Sequence, residues 1–183
     1  MKTLFLLAAV AAVAAFPVLA AAPQPARPIS PAFYSGLWYE IARTPNLGQR
    51  DCQAAHSRFT PLGGEGEVSF IASTGEFSVS QTCHKGSPSG PGKVFRTKGR
   101  IVPGSANAKF EMSFFGGLRK QEYWVLDRAE DQTWVIMATP GGNYAWLMAR
   151  RPRLPTAVKA AALSRMNALG YPADSLEFPR SAG

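Results

Sequence analysis

Gly36-Leu37-Trp38-Tyr39-Glu40-Ile41-Ala42-Arg43 puts a Gly-x-Trp at the head of a strand-like segment. It is rich in aromatic and branched residues, stops at Pro45, and begins a series of short segments of the same character. Residues of this kind suit a pleated, half-buried surface, and the glycines and prolines between segments mark turns. Strand patterns fall at 38–44, 52–60, 68–72, 77–82, 94–102, 109–115, 122–126, 134–138 and 144–149. Pro61 with Gly63-Gly64, Ser73-Thr74-Gly75, Pro103-Gly104 and Gly116-Gly117 punctuate them. Such short gaps join antiparallel neighbours, because a parallel pair needs a long crossover. No β-α-β unit and no internal repeat is visible.

One helix is expected late in the chain. Pro155 and Thr156 open it, Val158, Ala162, Met166 and Leu169 share a face, and Gly170 with Pro172 close it. Its polar face has only Lys159 and Arg165 as cations, which argues against a membrane-surface helix. Residues 175–178 could return as a strand. Many strands followed by one amphipathic helix predicts a barrel with the helix packed outside.

The N-terminus reads as an export signal. Lys2 precedes an apolar run from Leu4 to Phe16, too short to span a bilayer comfortably, and small residues follow. The expected division is a signal peptide at 1–22, a Pro/Ala-rich extended leader at 23–32 and a single barrel domain at 33–183. No cysteine lies near the cleavage region, so a soluble periplasmic or secreted product without a lipid anchor is expected. Cys52 and Cys83, 31 positions apart, suggest one disulfide in an oxidising compartment. A reactive thiol pair is the alternative.

The formal charge is +8, falling to +7 once Lys2 is removed. The bases are scattered, as at Lys93, Arg96, Lys98, Arg100, Arg119 and Arg128, with no run of like charge. That pattern excludes a nucleic-acid track and leaves a solvated basic surface, with peripheral contact to an anionic membrane open. His56 and His84 are the only histidines, each near a cysteine but without a third orienting group. Metal-ligand spacings, a phosphate-binding glycine loop and a Gly-x-Ser-x-Gly elbow are all missing, so no metal, cofactor or catalytic residue is expected.

Three motifs in order, Gly36-x-Trp38, Leu126-Asp127-Arg128 and Arg150 within Trp146-Leu147-Met148-Ala149-Arg150, resemble the lipocalin family. Together with Met112-Ser113-Phe114-Phe115-Gly116 they are similar to its bacterial outer-membrane-lipoprotein and apolipoprotein D branch. The resemblance implies an all-β, eight-stranded antiparallel up-and-down barrel with a C-terminal helix outside. It implies that Arg150 stacks over Trp38 at a closed floor that also holds Gly36. The chain departs from the lipoprotein members in lacking the anchoring cysteine. Residues 61–75 also look longer than in close relatives, which leaves the register of the second and third strands open.

Alternation then predicts the barrel lining. Arg150 inward carries Met148, Trp146 and Tyr144 with it. The apolar parity elsewhere gives Phe77 and Val79, then Phe110, Met112 and Phe114, then Tyr123 and Val125. The resemblance implies binding, transport or storage of a small hydrophobic molecule such as a fatty acid or lysophospholipid. Arg43, Arg50 and Arg119 are candidates to steer its head group. The alternatives are an isomerase of lipids or terpenoids using a barrel thiol, and a filled barrel that binds proteins through an apolar outer patch.

Overall fold

The computed structural model describes residues 21–62 and 75–180. Eight strands close into one barrel in chain order: β1 (Gly36–Arg43), β2 (Cys52–Pro61), β3 (Glu76–Lys85), β4 (Gly92–Ile101), β5 (Lys109–Phe114), β6 (Arg119–Arg128), β7 (Trp134–Ala138) and β8 (Ala145–Ala149). Every neighbouring pair is antiparallel, and β8 returns to β1. The helix α1 (Thr156–Ala168) follows.

The segment 68–72 lies outside the described residues. The barrel closes through direct β2–β3 pairing, from Ala55↔Cys83 to Pro61↔Phe77. The disulfide Cys52–Cys83 spans the same two strands, with Cα atoms 5.3 Å apart. Residues 175–178 form no further strand. A 3-10 turn covers Ala173–Ser175, and a single antiparallel bridge joins Glu177 to Arg43. Residues 1–20, most of the expected signal peptide, lie outside the described residues. The leader is extended but docked: Ile29 is buried and its N–H bonds to the Ala106 carbonyl at 2.9 Å.

Strand alternation creates two apolar layers. Inside the barrel pack Val125, Val135, Met137 and Met148 with a group of aromatic rings. Outside it, Trp124, Leu126, Ile136, Leu147 and Ala149 meet Ala162 and Met166 of α1. Strand β7 is buried throughout because both its faces are covered. The helix ends in a Schellman motif: Gly170 takes φ 94°, the Tyr171 N–H bonds the Met166 carbonyl at 2.9 Å and the Gly170 N–H bonds Asn167 at 3.0 Å. Arg165 near the helix end faces Asp127 of β6 at 3.6 Å.

Candidate functional site

The two ends of the barrel differ because of what fills them. At the closed end the 3-10 turn Pro31–Tyr34 tucks Phe33 and Tyr34 beneath the strands. Tyr34 stacks on Phe77 at 6.0 Å and meets Phe110 edge-on at 5.2 Å. Burial pushes the Tyr34 phenol well above its ordinary range, and its hydroxyl donates to the Asn107 carbonyl. Arg150 lies 3.7 Å above the Trp38 ring and donates to the carbonyls of Ser35 at 2.7 Å and Phe33 at 2.5 Å. A guanidinium in such a place gains both a cation–π contact and satisfied donors. Its desolvation lowers the arginine pKa to about 10. Gly36, at φ 92°, leaves room for it: a Cβ there would sit 3.3 Å from Arg150 Nη1.

Above this floor the barrel is hollow. A cavity of about 420 Å³ opens toward the loops 44–51 and 86–91, within the roughly 300–1,000 Å³ usual for small-molecule pockets. Its deep wall is Phe59, Phe110, Met112, Met137 and Met148. Its upper wall carries Glu40, Asn46, Gln49, Gln81, Lys85 and Lys93. A second hollow of about 380 Å³ adjoins it under Phe114, Tyr123 and Trp146 and is bounded by Arg119 and Tyr144.

The residues expected to line the interior separate into three groups. Phe110, Met112, Phe114, Tyr123, Trp146 and Met148 border the cavity. Phe77, Val79 and Val125 point inward but are fully packed into the floor and do not border it. The interior tapers onto Phe33 and Tyr34, which fill the space those strand ends would otherwise enclose. Tyr144 lies outside the last strand, in the turn that precedes β8, where its carbonyl accepts from the Thr139 N–H at 2.9 Å. Its ring is half-exposed at the mouth.

Arg43 is not a rim cation. It is 3% exposed, bonds Glu40 at 2.6 Å and Glu177 at 2.8 Å, and donates to the carbonyls of Gln49 at 2.9 Å and Cys52 at 3.1 Å. Gln49 completes the network by donating to Glu40 at 2.7 Å and accepting from Asn46 at 2.8 Å and Trp146 Nε1 at 3.1 Å. Burial raises the Glu40 pKa, with the Arg43 charge opposing the shift. The network pins the β1–β2 loop over the cavity. Arg50 and Arg119 are exposed at the open end, as are Lys85 and Lys93, which border the cavity.

Strand alternation missed Phe59 and Met137, although the same inward parity on β2 and β7 points to them. Gln49 and Lys93 could not be found that way, since loop and strand-end positions have no period. His56 and His84 come together, ring centroids 5.7 Å apart, with Tyr39 at 5.9 Å from His56. Both chain cysteines are in the disulfide, so the thiolate of the isomerase alternative is not available in this state. Among the described residues no three His, Cys, Asp or Glu side chains group as a metal site, and no helix is long and apolar enough to cross a membrane.

The family model of the lipocalin-like domain matches residues 32–181. Among solved structures, insecticyanin of the tobacco hornworm Manduca sexta is similar over 90% of this chain and 87% of its own, at 17% identity and a TM-score of 0.66. The cockroach allergen Per a 4 is similar over 88% and 94%, at 18% identity and 0.61. Lobster apocrustacyanin A1 is similar over 82% and 79%, at 11% identity and 0.59. No curated protein matches the sequence.

Proposed function

Because this chain belongs to the lipocalin-like family, we propose that its barrel binds a small hydrophobic molecule and carries or stores it outside the cytoplasm. The observation that carries the reading is the cavity's polarity gradient. Phe59, Phe110 and three methionines form the deep wall, while Gln49, Gln81, Lys85 and Lys93 lie toward the mouth together with Glu40, whose charge is paired with Arg43. An amphiphile with one long apolar tail and a carboxylate or phosphate head matches that gradient, which favours a fatty acid or lysophospholipid. Tail burial supplies about 25 cal/mol per Å² of apolar surface removed from water, before association costs. Met112, Met137 and Met148 are flexible and polarizable, so the wall can adapt to tails of different shape.

Lys85 and Lys93 replace Arg43 as the cations for the head group, with Arg119 serving the adjoining hollow. Binding needs no covalent step and no cofactor. The disulfide fits an oxidising compartment, and with the apolar run at Leu4 to Phe16 it supports an exported protein. Native mass spectrometry with lipid extraction, on protein taken from its own exported compartment, tests the reading. A copurifying acyl species supports it. An empty barrel that also fails to bind a fatty-acid panel at micromolar concentration would sink it.

A further inference from the structure

The large apolar side chains exposed on the described surface are not spread evenly. Leu47, Phe115, Leu118 and Tyr144 stand in three of the open-end loops, and Val94 and Phe95 lie beside them on β4. Phe178 is exposed elsewhere and is covered in part by Lys159. Leu118 is 92% exposed, Leu47 80% and Phe115 69%, so most of each side chain faces solvent.

The loop that holds Phe115 and Leu118 is built rather than slack. Phe115 holds φ 52°, a left-handed conformation that costs a non-glycine residue, followed by Gly116 at 67° and Gly117 at 100°. The Leu118 N–H closes the turn on the Phe115 carbonyl at 3.4 Å. Two apolar side chains are thus displayed at a tight tip. An apolar patch maintained on these terms needs a partner.

The charge around it says which. Arg50, Lys93 and Arg119 flank the rim and carry no ion pair among the described residues. Asp51 is the only acid in the loops 44–51, 86–91, 115–118 and 139–144, and it lies 3.4 Å from Lys85. A second copy of this chain docked through the same end would bring like charges together. An anionic lipid surface complements both the cations and the apolar tips.

We propose that the open end of the barrel docks mouth-down on an anionic bilayer, with Leu47, Phe115 and Leu118 inserted among the head groups and Arg50, Lys93 and Arg119 on lipid phosphates. The cavity mouth then faces the membrane.

Flotation of the full exported chain with phosphatidylcholine vesicles, with and without phosphatidylglycerol, tests this. The wild type is expected to float with the mixed vesicles, less with pure phosphatidylcholine, and to lose binding as NaCl rises. Leu47→Gln with Leu118→Gln is expected to lower partitioning about tenfold or more on both lipids. Lys93→Gln with Arg119→Gln is expected to lower it several-fold on mixed vesicles alone. Circular dichroism and the thermal midpoint establish that each variant folds. Absence of wild-type flotation at low salt, or variants that float as the wild type does, would overturn the proposal. So would a dimer in sedimentation velocity that the leucine variant dissolves, which would assign the rim to a second copy.

Discussion

Arg43 reaches back three residues to Glu40 at 2.6 Å, and both side chains are buried at the top of the barrel. In a regular strand, residues three apart face opposite sides. A bulge between Glu40 and Ala42 absorbs Ile41, so that Glu40 stands opposite Met148 and Arg43 opposite Trp146, on the same inward side. One extra residue in β1 turns an expected surface cation into a structural one.

Removing Arg43 leaves the Glu40 carboxylate buried without its cation. Arg43→Met is expected to cost about 3–5 kcal/mol in denaturant unfolding at neutral pH. Burial already raises the Glu40 pKa in the fold. A raised carboxyl favours folding below its unfolded value of about 4.3, and the advantage is lost as pH climbs through the folded value. The deficit of Arg43→Met should therefore shrink as the medium is acidified and Glu40 becomes neutral. A deficit equal at all pH values would mean that packing, not charge, is what Arg43 supplies.

Gly99 is fixed by the ring across from it. It pairs with Phe77 in the β3–β4 register, and a Cβ at this position would lie 2.5 Å from Phe77 Cε2. Phe77 cannot yield easily, because Tyr34, Phe59 and Phe110 surround it at centroid distances of 5.6 to 6.0 Å. Gly99→Ala is expected to cost about 1–3 kcal/mol, as overpacking does. In a double-mutant cycle with Phe77→Leu the penalties should be strongly non-additive. Additive penalties would show that the strain is taken up elsewhere.

These two pairs also mark what a sequence can disclose. Most strand segments and the helix were legible because alternation, as in Lys109–Phe114, and the bracketing turn residues around Thr156–Ala168 leave local traces, while the closed eight-stranded barrel followed from the resemblance carried by Gly36-x-Trp38 and Arg150. Tyr123, Trp146 and Met148 followed from parity. Arg43 did not, since a single-residue bulge leaves no periodic trace. Phe77, Val79 and Val125 faced inward as their pattern required, yet parity is blind to depth. Whether an inward residue borders a cavity or a floor depends on the turn Pro31–Tyr34, which fills the barrel from outside the strand pattern.

The disulfide closes a loop of 31 residues between adjacent strands. Its replacement by Cys52→Ala with Cys83→Ala is expected to lose roughly 3–4 kcal/mol in the chain-entropy account. Both cysteines border the cavity mouth. A fluorescent fatty-acid probe should accordingly dissociate faster from the variant than from the oxidised protein. An unchanged off-rate with lowered stability would confine the bridge to a structural role.

His56 is expected to give the fold an acid sensitivity. Burial chiefly, then the neighbouring His84 and Arg58, lower its pKa. A lowered imidazole pKa means that the unfolded chain binds the proton first. The stability contributed by neutral His56 is present above the unfolded value of about 6.5 and is lost as pH falls through the folded one. Urea midpoints are expected to decline over that window in the wild type and to decline less in His56→Gln. A parallel decline in both would assign the sensitivity to other groups.

Ala55 offers a direct test of the cavity. It borders the hollow on β2, opposite Cys83, where a small side chain leaves the passage between mouth and deep wall open. Ala55→Trp would place an indole across that passage. Because the new ring enters empty space rather than the packed floor, the loss of stability is expected to stay within about 1–3 kcal/mol. Probe binding should fall at least tenfold, while the Arg150–Trp38 stack at the far end keeps the barrel closed. The measurement is displacement of a fluorescent fatty acid, alongside the thermal midpoint. Full binding by a folded Ala55→Trp protein would show that the probe does not enter the barrel by this route.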